Sequence, residues 1–91
     1  MSDAIRAALT DHLGLTVSDL RLTAGGDIND AYRAETDRGA VFVKTSPTAL
    51  PGMFTDEAAG LEWLGEPGAL PVPGVVGVCD SDDAPRLLAL E

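Results

Sequence analysis

Aromatic residues make up only 4% of the 91-residue chain, and six basic residues stand against fifteen acidic ones. With so few aromatics, a core must be built from Leu, Val, Ile and Ala. The shortage of cations gives a net charge of -9. That argues against nucleic acid, whose binding relies on Lys and Arg to neutralise phosphates, and against anionic membrane surfaces. It does not argue against a small anionic ligand held locally. A single cysteine, Cys79, excludes an internal disulfide and fits a reducing, cytoplasmic setting. Its nearest charges in sequence are Asp80, Asp82 and Asp83, so it reads as a small core residue rather than a reactive thiol. No stretch approaches the roughly 18 apolar residues of a membrane span. "MSDAIRAAL" lacks the basic start and apolar core of a signal peptide. The one histidine, His12, has no Cys or second His at ligand spacing, so no metal site is expected there.

What is present suits one small domain: 45% apolar and 23% charged residues, without repeats or low-complexity segments. "SDAIRAALTDHLG" predicts a helix, with Ser2 able to cap it, a stripe of Ile5, Ala8, Leu9 and Leu13, and Gly14 as the stop. "DLRLTA", "AYRAET" and "AVFVKTS" read as three strands of an antiparallel meander, the last two joined by the turn "DRG". "SPTALPGMF" is a loop. "TDEAAGLEWLGE" predicts a second helix, capped by Thr55 and ended by "GEPG". "LPVPGVVGVCD" and "RLLALE" give two more strands around an acidic turn, "SDDAP". The acidic run "DSDD" at that turn lacks the glycine and distant glutamate of a calcium loop and reads as solvated. A chain that ends on an apolar strand reads as a fragment cut at a boundary.

Three features carry chemistry, and each has a plain alternative. Strand alternation places Phe42 and Lys44 on one face and Val41, Val43 and Thr45 on the other. Lys44 is then either a solvated surface lysine or a lysine held in a cleft that needs a counter-charge. On the second helix, with Phe54 at zero and about 100° per residue, Leu61 falls near about -20°, Glu57 near about -60° and Leu64 near about -80°. Glu57 therefore lies either on the apolar face, where a carboxylate needs a partner, or at the stripe's edge in the first turn, where the helix dipole favours it. The two residues are 13 apart and would satisfy each other. "GGDIND" is either a wide turn or a loop whose glycines let backbone amides approach a phosphate. It matches neither the P-loop pattern nor GxGxxG.

Taken together, strand, glycine loop, strand, turn, strand with lysine, helix with glutamate and two further strands follow the plan of a kinase-type N-terminal lobe. The expected fold class is α+β: a protein-kinase-like lobe with a five-stranded antiparallel sheet, an N-terminal helix and a C-type helix. "GGDINDAYR", "FVKT", "PGMFTDEAAGLEWL" and "LLALE" resemble the N-terminal lobe of the fructosamine kinase (ketosamine-3-kinase) family, relatives of aminoglycoside phosphotransferases and choline kinases. The resemblance runs from Leu20 to Glu91. One departure is Ser46, where the family often has Asn two positions after the lysine.

The resemblance implies that Gly25, Gly26, Asp27, Ile28 and Asn29 form the nucleotide loop. It implies that Lys44 contacts the ATP phosphates and Glu57 orients it. Leu90 would lie at the back of the adenine pocket, and Glu91 would begin the hinge. It implies ATP and Mg²⁺ as cofactors and a ketoamine as acceptor, phosphorylated on a sugar hydroxyl in deglycation repair. The catalytic Asp and the Mg²⁺ ligands would lie in a C-terminal lobe absent from these 91 residues, so the chain alone is expected to be inactive and to self-associate. The alternatives are an aminoglycoside- or choline-kinase-like lobe and a small acidic interaction module that binds no nucleotide.

Overall fold

The computed structural model describes residues 2–25, 30–46, 48–65 and 73–91. They form helix α1 (Ser2–Leu13), strands β1 (Val17–Ala24), β2 (Asp30–Thr36) and β3 (Gly39–Thr45), helix α2 (Met53–Gly65), and strands β4 (Val75–Cys79) and β5 (Leu87–Leu90). The strands make one sheet in the order β1-β2-β3-β5-β4, antiparallel at every pairing. The five strands and two helices expected from periodicity are therefore all present. Gly26, Asp27, Ile28 and Asn29 lie outside the described residues, as does most of "GEPG".

The two faces of the sheet carry separate cores because each helix covers a different one. Ile5, Ala8 and Leu9 of α1 pack with Leu15, Tyr32, Ala34, Val41, Val43, Cys79, Leu87 and Ala89. Phe54 and Ala58 of α2 pack on the opposite face with Leu88, flanked by Leu61, Val75, Val78 and Leu90. Each large side chain buried completely, such as Leu9, Phe54 or Leu87, contributes about 1.5–3 kcal/mol. The end of α1 rests directly on β4: a Cβ at Gly77 would come within 2.6 Å of the Leu13 side chain. Cys79 is buried in the first core, as its acidic sequence neighbours suggested, and burial pushes its thiol pKa up.

Both helix boundaries have visible causes. After α1, the Gly14 N–H donates to the Thr10 carbonyl and the Leu15 N–H to the Leu9 carbonyl, each at 3.1 Å, which satisfies terminal acceptors of the helix. The start of α2 differs from expectation. Thr55 is not its cap: the helix begins two residues earlier, at Met53, and Thr55 is an exposed residue of the first turn. Gly52 takes the boundary position with φ of 83°, a left-handed conformation that costs a residue with a Cβ about 1–2 kcal/mol. Its carbonyl accepts from the Asp56 N–H at 2.9 Å.

Candidate functional site

Lys44 lies on the sheet face that α1 does not cover. Strand β3 alternates in burial, with Val41, Val43 and Thr45 turned into the α1 core while Phe42 stays exposed and Lys44 half-buried. In register, Lys44 sits between Ala31 of β2 and Leu88 of β5. Above this row runs α2. Phe54 and Ala58 anchor that helix to the sheet, and Glu57, between them in sequence, lies at the edge of the buried stripe.

Here the two alternatives for Glu57 meet: it is at the edge, and it is paired. The Lys44 ammonium donates to both carboxylate oxygens of Glu57, at 3.0 and 3.1 Å. The side chains remain 38% and 35% exposed. An ion pair this open to water is worth at most about 1 kcal/mol, so its importance is geometric. It fixes the direction in which a cation points from the sheet.

The two ends of the glycine segment, Gly25 and Asp30, have described positions. β1 ends at Ala24 and β2 resumes at Asp30, which pairs with Thr45, while the next residue, Ala31, pairs with Lys44. Gly25 is exposed at the mouth of the loop, across from the Asp30 carboxylate. The loop thus returns to the sheet one residue from the row that holds the lysine. Leu90 faces the α2 side, paired with Phe42 and Val75. Glu91 follows, and its N–H donates to the Gly74 carbonyl at 2.9 Å. Of the residues expected to meet at one site, Gly25, Lys44, Glu57, Leu90 and Glu91 have described positions. Gly26, Asp27, Ile28 and Asn29 do not.

The Lys44 side chain is partly exposed beside the exposed Phe42. A cavity of about 240 Å³, lined by Ile5, Tyr32, Thr45 and Arg86 among others, lies on the α1 side of the sheet and not at the Lys44–Glu57 pair. Among the described residues no group of three or more His, Cys, Asp or Glu side chains is placed to hold a metal ion. No described helix is long and apolar enough to cross a membrane.

Two features escaped the sequence reading. Arg33 of β2 lies over the Phe42 ring, 5.8 Å from its centroid, and its Nε donates to Glu35 at 2.8 Å. The acidic turn is also more than solvated. Asp80 accepts from Arg86 Nε at 2.8 Å through one oxygen and from the Gly52 N–H at 2.9 Å through the other, and Asp82 also pairs with Arg86. Arg86 is the only basic residue after Lys44, six positions beyond Asp80 and four beyond Asp82. That isolation was the available signal.

The sequence profile of the fructosamine kinase family matches residues 1–91. A chloroplastic protein-ribulosamine 3-kinase of Arabidopsis thaliana is 38% identical over 65 residues, which is 71% of this chain and 20% of that protein. A protein of Enterococcus faecium assigned as a ketoamine kinase is 39% identical over 54 residues, 53% of this chain and 20% of that protein. The chain thus spans about a fifth of the length of these curated relatives. Among solved structures, one assigned to a fructosamine-3-kinase of Thermobifida fusca superposes with a TM-score of 0.77 at 36% identity, covering 96% of this chain and 30% of that one. Its counterpart from Haemophilus somnus gives 0.76 at 26% identity, covering 100% and 31%. The chain belongs to the fructosamine kinase family.

Proposed function

We propose that these 91 residues are the ATP-binding N-terminal lobe of a ketosamine kinase, which transfers the γ-phosphoryl group of ATP to a sugar hydroxyl of a ketoamine. The observation that carries this reading is the forked Lys44–Glu57 pair, on the row that the start of β2 joins at Ala31. Phosphoryl transfer is catalysed chiefly by positioning and charge stabilisation, and a lysine aimed by a carboxylate supplies both to an anionic ligand. Lys44 holds the phosphates, and Glu57 keeps the ammonium from swinging away. Gly25 to Asn29 offer backbone amides to the same phosphates. The exposed Phe42 ring and Leu90 give the base an apolar surface. Because the Glu91 N–H is committed to Gly74, the Glu91 carbonyl is the group that meets the adenine edge.

Mg²⁺ supplies charge neutralisation to such a transfer, but the described residues form no donor set for it. On this reading, as the family resemblance implies, the metal ligands and the catalytic base belong to a second, C-terminal lobe. Family membership and the names of the relatives support the ketoamine as acceptor. No observation favours an aminoglycoside or choline.

The test is ATP titration in the complete natural polypeptide that contains this sequence. Lys44→Met and Glu57→Ala should each lower kcat/KM for ATP by roughly 100-fold, the scale of one lost charge-stabilising group. Wild-type ATP use in both variants would overturn the assignment.

A further inference from the structure

We propose that Asp80 and Arg86 are positioning residues that set Glu57 against Lys44. The inference rests on the reading of that pair as the phosphate-holding one. Its basis is a set of hydrogen bonds that reaches, from one place, the residue after Lys44 and the residue before the glutamate helix. Thr45, the residue after Lys44, donates its hydroxyl to the Arg86 carbonyl at 2.7 Å. The Arg86 side chain donates to Asp80, and the second oxygen of Asp80 accepts the Gly52 N–H. Gly52 immediately precedes α2, five residues before Glu57. A single Arg86–Asp80 unit thus ties the end of the lysine strand to the start of the glutamate helix.

The tie is placed where it can fix geometry. The Arg86 and Asp80 side chains are 17% and 27% exposed, more sheltered than Lys44 and Glu57. Charge-assisted bonds are shorter and stronger than neutral ones. Among the described residues, the other hydrogen bonds of the segment 46–52 are local: Ser46 with Thr48 and Ala49, Leu50 with Met53, and Gly52 with Asp56. The Asp80–Gly52 bond therefore supplies the long-range restraint at the point where the chain enters α2. Without it, α2 keeps its apolar footing through Phe54 and Ala58 but can rotate about that footing and carry the half-buried Glu57 with it. A shift of about 1 Å in a positioning group is enough to cost a large factor in rate.

A residue that merely helps the β4–β5 connection to fold would act independently of Glu57, and a double-mutant cycle separates the two roles. In the complete polypeptide, Asp80→Ala should lower kcat/KM for ATP by roughly 10- to 100-fold. In a Glu57→Gln background the further loss should fall below about threefold, because the group being positioned is already gone. In parallel, amide hydrogen exchange at Gly52 and Asp56 should rise about tenfold in Asp80→Ala, with exchange in α1 unchanged. If Asp80→Ala does not fold, Asp80→Asn, which keeps an oxygen for the Gly52 N–H but loses the charge facing Arg86, enters the same cycle. An equal loss with and without Glu57, or no loss in either background, overturns the proposal. Should Glu57→Gln alone leave kcat/KM unchanged, the phosphate-pair reading fails instead. The exchange measurement then decides the rest: faster exchange at Gly52 supports the hold on α2, and unchanged exchange overturns it.

Discussion

Lys44 and Glu57 show how little stability a functional contact can carry. Both side chains are more than one-third exposed, so water screens them and the pair contributes at most about 1 kcal/mol. Glu57→Gln should therefore shift the unfolding midpoint by no more than a few degrees while it weakens ATP use; a calorimetric shift beyond about 8 °C would show that the pair is structural. Cys79 is the opposite case, a titratable group with weight in stability and none in the proposed chemistry. Burial raises its pKa, with the neighbouring Asp80 adding to the rise and both a backbone hydrogen bond involving Ser81 and the Arg86 charge opposing it. Its stabilising contribution is complete below the unfolded thiol pKa of about 8.5. As pH rises past that value the unfolded thiol ionises while the folded one stays protonated, so the unfolded state binds fewer protons and stability falls until the folded pKa is reached. Urea unfolding between pH 7 and 10 should show this decline, and Cys79→Ala should flatten it. An identical slope in the variant would assign the decline to other groups.

Two glycines, one inside helix α2 and one immediately before it, should act with opposite signs when replaced by alanine. Gly60 is an exposed interior residue with nothing within 4 Å of an added Cβ, so Gly60→Ala should stabilise by about 0.5–1 kcal/mol through helix propensity. Gly52 has equal space but a φ of 83°, so Gly52→Ala should destabilise by about 1–2 kcal/mol. Urea midpoints with unchanged m-values would check both, and the same sign for the two would contradict this helix start. The same helix marks the limit of what local pattern reveals. Its apolar stripe and Glu57 were legible because helical period and strand alternation are local properties, and each pointed its charged residue toward the shared face. Its first residue was not, because Thr55-Asp56-Glu57 imitates a cap while the real boundary is held by Asp80, 28 positions from Gly52. The acidic turn misled for the same reason. Three aspartates in four residues look solvated until the fold brings Arg86 and the entry to α2 against Asp80. The order of strands and the pairing of Lys44 with Leu88 likewise depend on contacts distant in sequence.

At the scale of the whole molecule, the sheet is covered unequally. Helix α1 closes one face over a continuous core, whereas the described residues of α2 pack on the other beside β4 and β5, with Glu57 reaching Lys44 of β3. On that second face Phe42 is 45% exposed under Arg33. Leu50, Met53, Trp63 and Leu64 add exposed apolar surface along α2 and its approach. Side chains of this size left in water lose the stabilisation that burial would give, and surfaces of this kind mark interaction sites. On the proposed reading, one lobe alone can hold phosphates loosely but cannot exclude water or fix an acceptor hydroxyl in line with the γ-phosphorus, and both are needed for efficient transfer. The 91-residue polypeptide on its own should therefore show no phosphoryl transfer from ATP to a fructosamine acceptor, and its open face should pair with a second copy. Turnover above the uncatalysed rate by the purified polypeptide would overturn the first expectation. A single monomeric species in sizing and sedimentation at concentrations up to about 100 μM, where a contact worth about 5.5 kcal/mol would already populate dimers, would overturn the second.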